Sequence, residues 1–440
     1  MPFSLSCLPR PLRVLRKLPE LDEILRGHCF SGKLAEAVEI LCFRGSRVDP
    51  QTYAFLLQEC INRKDVFRGR RIHAQMITVG FSPDQYLMNK LIILYAKHGD
   101  MGTSSYLFDK IRDRNLISWN AMISGYVQKC LDQEGLSLYY QMRGLGLEPD
   151  QFTFASVFRA CASLATLEQG KRAHAVMIKV QTRTNVVVNS ALVDMYFKCS
   201  CPLDGRLVFD KSLEKNVITW TALISGYGHH GRVQEVLSVF QQMLEEGCRP
   251  NYVTFVAVLS ACSYGGLIDE GKRYFSCMTR EYNIRPGVEH VAAMVDLLGR
   301  AGRLDEAYEF VKRSPSCGHS QIWGALLGAC GVHGNVELLK ITAKRFFNLD
   351  IENAGKYVVL SNAYASFGLW ENASDVRETM KGLGMKKEPG CSWIEVQSKV
   401  HSFCVGDNSH ERIKQIYDII KELDPMMKDS GYVPEQLIQW

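Results

Sequence analysis

A chain of 440 residues with 46% hydrophobic and 22% charged side chains has the balance of a soluble folded protein and excludes a disordered one. Its 52 Lys and Arg against 47 Asp and Glu leave a net charge of only +5, far short of the basic footprint by which many nucleic-acid binders are recognised. No apolar run approaches the roughly 18 residues that span a bilayer, so no membrane partner is expected. The fifteen cysteines are scattered through apolar stretches with no CxxC pair, which points to a reducing compartment. Cys199 and Cys201 stand close together but without a second pair nearby, so they are read as structural and no metal or cofactor is expected.

In chain order, residues 1–19 come first: Arg10, Arg13, Arg16 and Lys17 with no acid before Glu20. That is the composition of a short organellar transit segment, and its Arg- and Leu-rich character favours the mitochondrion, with the chloroplast as the alternative. Sliding the rest of the chain on itself by 101 residues then brings long stretches into register. GRRIHAQMI at 69–77 falls on GKRAHAVMI at 170–178, and LYAK at 94–97 on MYFK at 195–198. ISWNAMISGY at 117–126 falls on ITWTALISGY at 218–227, and TFASVFRACASLATLEQGKR at 153–172 on TFVAVLSACSYGGLIDEGKR at 254–273.

Each block divides into units of 35, 35 and 31 residues, cut at 116, 151, 186 and 217 by polar or Pro-Asp and Pro-Asn junctions. Each unit reads as one helical hairpin. In 217–251, Trp220, Leu223, Ile224 and Tyr227 fall at i, i+3, i+4, i+7, as do Val236, Val239, Phe240 and Met243. Gly228 and Gly231 separate the two helices, and Gly247 and Pro250 follow the second. A hairpin cannot bury its apolar stripe alone, so consecutive units must stack around one continuous core. The recurring Trp, Tyr, Met and Cys are assigned mostly to that core, and His73 and His174, on equivalent second helices, to packing or local hydrogen bonding.

With SWNAMISGY, TFVAVLSACSYGGLIDEGK and NSALVDMYFKC at their centres, these units resemble the PLS-type pentatricopeptide repeats of land plants. A tetratricopeptide array would keep a constant 34-residue period, which the 35-35-31 rhythm does not. The resemblance implies an all-α, right-handed superhelical solenoid, and it divides the chain into P 20–49, L 50–84, S 85–115, P 116–150, L 151–185, S 186–216, P 217–251, L 252–287 and S 288–319. The last unit carries VDLLGRAGRLDEAYEFV, similar to the family's closing repeat. WGALLGACGVHGN within 320–353 resembles the E1 motif, and AGKYVVLSNAYASFGLWENASDVRETMKGLGMKKEPG at 354–390 the E2 motif. CSWIEV at 391–396 and KVHSFCVGDNSH at 399–410 resemble the start of a DYW extension, truncated within 391–440. Their alternation predicts a short β-hairpin, followed by a helix near 411–428.

The same resemblance implies one RNA base per unit, chosen by the fifth and last residues. An amide or hydroxyl at the fifth position can donate and accept. Carried onto this chain, Asn89 with Asn115 is similar to a pyrimidine reader and Asn120 with Asp150 to a uridine reader. Ser190 with Asn216 and Thr221 with Asn251 resemble adenosine readers. Ala54, Ala155 and Val256 hold the fifth positions of the L units, and Ala292 with His319 closes the last S unit; these five are left without a base. Because the family binds RNA in parallel, the implied core is 5′-(C/U)-U-N-A-A-3′. Each polar residue alone would be ordinary for a solvated helix face; it is their register across four units that carries the reading.

E motifs after such repeats imply a site-recognition factor for cytidine-to-uridine RNA editing. A zinc deaminase needs H-x-E and P-C-x-x-C; His401 and the His410–Glu411 pair lack that spacing. The chain is therefore expected not to be an enzyme. It is expected to act as a monomer, with single-stranded organellar RNA and a trans-acting DYW-type cytidine deaminase or editing-complex protein as partners. RNA stabilisation, splicing or translation by occupancy is the alternative, followed by a protein-binding scaffold.

Overall fold

The computed structural model describes residues 19–431 except 183–184, 350–353, 386–389 and 397–398; the expected transit segment falls almost wholly outside them. From Pro19 to Gly382 the described residues form helices in consecutive pairs, each pair joined by a short turn. Leu116–Gln128 is followed by Asp132–Gly144, and Val217–His229 by Val233–Glu245. The 3.6-residue apolar period thus appears as helices, as the sequence leads one to expect. Among the described residues no helix is long and apolar enough to cross a membrane.

The chain divides into two compact units, Met1–Leu164 with Gly170–Thr184, and Ala165–Gln169 with Asn185–Trp440. In the first, the leading helices of successive pairs stack side by side: Pro19–Phe30, Pro50–Asn62, Gln85–His98, Leu116–Gln128 and Gln151–Leu164. In the second, Val186–Lys198, Val217–His229, Tyr252–Gly265, Val288–Arg300, Ser320–His333 and Ala354–Ser366 do the same. The trailing helix of a pair packs on its own partner and, in several pairs, on the next leading helix; Val233–Glu245 does so on Tyr252–Gly265.

One aromatic lock joins neighbouring pairs and recurs in both units. In the first, Phe108 of a trailing helix meets Trp119 of the next leading helix edge to face, with centroids 5.0 Å apart, and the Arg114 guanidinium lies 4.4 Å from the Phe108 centroid. In the second, Phe209 and Trp220 are 4.7 Å apart, with the Lys215 ammonium 4.9 Å from the Phe209 ring. The sites lie 101 residues apart. Both tryptophans are buried, where area and ring geometry both contribute.

Close packing also explains a helical glycine. A Cβ on Gly226 would sit 2.4 Å from the Phe197 ring, and that ring is itself held by Tyr227 and His230. Val there would regain little helix propensity, so the overpacking goes uncompensated. Gly226→Val is expected to lower the unfolding free energy by about 1–3 kcal/mol, read from the urea midpoint.

Past the helical pairs, Cys391–Val396 and Lys399–Cys404 form an antiparallel hairpin in which Cys391 pairs with Cys404, and Ile413–Asp429 is a final helix. The alternation in the sequence predicts the hairpin, and the helix lies where one near 411–428 is expected to follow it.

Candidate nucleic-acid interface

The last residue of a unit begins the leading helix of the next. Asn115 accepts from the Ser118 backbone N–H at 3.0 Å, and Asp150 from those of Phe152 and Thr153 at 3.0 and 2.9 Å. Asn216 accepts from Ile218 and Thr219, and Asn251 from Thr254 at 3.0 Å. Asp84 and Asn185 cap their helices in the same way. A helix start leaves backbone donors unpaired, and Asn and Asp are among the best side chains to satisfy them. Capping accounts for a short polar acceptor at every one of these positions; it does not account for the choice between Asn and Asp.

The fifth residues stand just over one turn into the preceding leading helix, where they face these caps. The Asn120 amide donates from Nδ2 to Asp150 Oδ1 at 2.9 Å, and Asn89 Nδ2 donates to Asn115 Oδ1 at 3.3 Å. Thr221 reaches Asn251 through an intermediary, its hydroxyl 2.8 Å from that of Thr254, which lies 3.0 Å from Asn251 Oδ1. Ser190 is different: its hydroxyl donates to the Val187 carbonyl at 3.0 Å rather than to Asn216. Two sequence-paired couples therefore touch directly and a third through one hydroxyl, while the fourth pair is not bonded through Ser190. Asn89, Ser190 and Thr221 are buried, and Asn120 is half-buried, so none is a freely solvated helix-face residue. The Asn89 carbonyl oxygen is buried without a partner, a cost that a ligand's donor would relieve. Ala54, Ala155 and Ala292 are buried and Val256 is half-buried; none has a side chain able to hydrogen-bond.

Two further sets escaped sequence reasoning. One is Thr153 and Thr254, third in their leading helices; the Asp-x-x-Thr and Asn-x-x-Thr spacing of a capping box could have signalled them. The other is an exposed apolar residue two places after each cap: Tyr86, Ile117, Phe152, Val187, Ile218 and Val253. Apolar side chains left outside a core at one repeated position mark a contact surface on each unit; Tyr86 and Phe152 carry flat rings of the kind on which unstacked bases stack, and the Ile and Val side chains offer apolar contact to a base face.

At the next junction the cap is Gly287 and the third residue is His290, fully buried. Its Nδ1 accepts from the Gly287 N–H at 3.2 Å, so Nε2 carries the proton and donates to the Tyr252 carbonyl at 3.0 Å. Burial holds this imidazole below the ordinary histidine value, against a smaller opposing pull from that carbonyl and from Glu289. The unfolded chain then binds the proton more readily, so stability is full above the ordinary range near pH ~6.5 and is withdrawn as pH falls below it. His73 and His98 are shifted the same way. Thermal midpoints are expected to fall between neutral and mildly acid pH, with a shallower slope in His290→Gln.

No group of three or more His, Cys, Asp or Glu among the described residues is arranged to hold a metal ion. His401 and His410 do meet, Nδ1 to Nε2 at 2.9 Å.

Family models match along the chain: the PPR repeat family at 114–163 and 215–263, the PPR repeat at 253–282 and 292–319, and the E motif at 333–395. A pentatricopeptide repeat-containing protein of Arabidopsis thaliana is 56% identical over 422 residues, covering 96% of this chain and 84% of that one. Another from that plant, named as chloroplastic, is 39% identical, covering 89% of this chain and 45% of its own. A third, named as mitochondrial, is 38% identical, covering 92% and 63%. The chain thus spans about half to two-thirds of the latter two. Among solved structures, the pentatricopeptide repeat protein PPR10 from maize superposes with a TM-score of 0.62 at 14% identity, covering 94% of this chain and 64% of that one. A PPR10 variant with three Cys-to-Ser substitutions, in complex with an 18-nucleotide psaJ RNA element, gives 0.68 at 16% identity, covering 84% and 56%. At such identities the likeness concerns the fold.

Proposed function

We propose that this chain, which belongs to the pentatricopeptide repeat family, binds single-stranded organellar RNA one base per repeat and marks cytidines for conversion to uridine by a deaminase supplied in trans. The observation that carries the RNA reading is the recurring trio of cap, fifth residue and exposed apolar residue at successive junctions. In this reading the apolar side chains at Ile117, Phe152, Val187, Ile218 and Val253 lie against base faces, and the polar pairs meet base edges. Asn89–Asn115, Asn120–Asp150, Ser190–Asn216 and Thr221–Asn251 select pyrimidine, U, A and A in that order. Such recognition does not need a strong net charge, because affinity comes from stacking and edge contacts as well as from phosphates. The RNA-bound relative of like fold supports it.

The E-motif match at 333–395 supports editing over simple occupancy, since a docking segment after the repeats has a use only if another protein performs the chemistry. On this account the chain has no catalytic residues and works as a monomer on RNA. Relatives named as chloroplastic and as mitochondrial support an organellar address, and the basic residues Arg10, Arg13 and Arg16 favour the mitochondrion.

The test is a loss-of-function plant whose mitochondrial and plastid transcripts are sequenced. One or a few cytidines that lose conversion, each preceded a few nucleotides upstream by pyrimidine-U-N-A-A, is the expected result. Unchanged editing with altered transcript abundance or splicing would replace the editing role with occupancy.

A further inference from the structure

We infer that Thr153 and Thr254, which belong to the repeats after those of Asn120 and Thr221, determine whether the fifth-position side chain offers a donor or an acceptor to its base. The inference rests on the base-reading role proposed above and adds a third residue to it.

The argument is one of counting protons. The Thr153 hydroxyl has one proton, and its oxygen lies 2.6 Å from Asn120 Oδ1 and 3.0 Å from Asp150 Oδ1. Asp150 Oδ1 already receives Asn120 Nδ2 and two backbone N–H groups, so the hydroxyl proton goes to the nearer Asn120 oxygen. The Thr153 oxygen in turn accepts the Asp150 backbone N–H. The Asn120 amide is then held at both ends: its oxygen receives the hydroxyl, and one N–H is given to the carboxylate. Rotating the amide by half a turn would set its oxygen against the carboxylate. The amide then keeps one free donor, its second N–H, suited to a carbonyl oxygen such as that of uracil, while its oxygen, already receiving the hydroxyl, keeps a single lone pair.

At Thr254 the same position works in the opposite sense. Its oxygen accepts the Asn251 backbone N–H at 3.2 Å and lies 3.0 Å from Asn251 Oδ1, which can only accept. We place its proton on that oxygen, and Thr254 then accepts from Thr221, 2.8 Å away. Thr221 therefore spends its proton inside the protein and keeps lone pairs for the base, an acceptor suited to an exocyclic amine such as that of adenine. The hydroxyl of Thr219, third in its own leading helix, donates instead to the Asn216 carbonyl at 2.9 Å, so a threonine at this position belongs to the cap in all three repeats and supports a reader only where its hydroxyl reaches back.

The experiment uses the full chain and short synthetic RNAs holding C-U-N-A-A, with each of the four bases in turn at the U position or at the final A. Thr153→Val removes the hydroxyl at nearly constant shape; the preference for U is expected to fall roughly three- to tenfold, while Thr153→Ser retains it. Thr254→Val is expected to cost the preference for the final A by a similar factor and gives a second reading in the other unit should Thr153→Val not fold. Thr219→Val is expected to weaken all RNAs alike without changing preference. If Thr153→Val and Thr254→Val also weaken all four bases equally, their role is capping alone and the inference is overturned. The Asn120→Thr, Asp150→Asn swap serves as the control for the underlying reading. A swap that moves preference beside threonine variants that do not overturns the inference alone; a swap that moves nothing overturns both.

Discussion

Trp220→Ala is expected to lower the unfolding free energy of the second compact unit by about 3–5 kcal/mol, the cost of emptying a large aromatic site in a packed core. The indole is 1% exposed, meets Phe209 edge to face, and belongs to a core that runs from Val193 through Phe240 and Phe255 to Leu297. Because each hairpin depends on its neighbours for burial, the loss should appear as an earlier urea transition. Trp119→Ala, at the equivalent site of the first unit, should behave likewise. Trp370 is 68% exposed, and its replacement by Ala should cost no more than about 0.5 kcal/mol. Equal effects at Trp220 and Trp370 would contradict the packing described.

The second large effect concerns recognition. Asn120→Thr with Asp150→Asn recreates, beside Thr153, the arrangement that Thr221 and Asn251 make beside Thr254. Asn caps as well as Asp, so stability should be kept while preference at one base moves from U toward A. The swing expected is about 1–3 kcal/mol, the range for a well-placed base-edge contact, read as relative Kd for RNAs differing at that base. A preference left at U would remove the pairing of Asn120 with Asp150 as a base reader.

Much of the fold was legible because repetition reports it several times over: Trp119 and Trp220, Phe108 and Phe209, and Arg114 and Lys215 each hold one place in a lock that the 101-residue shift reveals. The β-hairpin was legible from alternation in CSWIEV. The polar positions were located by resemblance, but their physical setting was not visible. Nothing in composition says that Asn115, Asp150, Asn216 and Asn251 are helix caps, or that Asn89 and Thr221 are buried against them, because burial depends on how successive hairpins meet. Ser190 shows the limit of reading by type: its hydroxyl matches that of Thr221, yet it turns back to Val187, a choice made by local backbone geometry. Thr153 and Thr254 do not stand out, because a capping threonine and a threonine that supports a reader look the same in a sequence.

The central claim is that these junctions read RNA in order. Its most direct measurement is the Kd of the full chain for a short single-stranded RNA holding C-U-N-A-A against one holding the same bases reversed, A-A-N-U-C, at one fixed salt concentration. With four informative positions, the forward RNA is expected to bind at least about tenfold more tightly, since even one or two lost edge contacts at about 1–3 kcal/mol each reach that factor. Equal affinity for the two would contradict it.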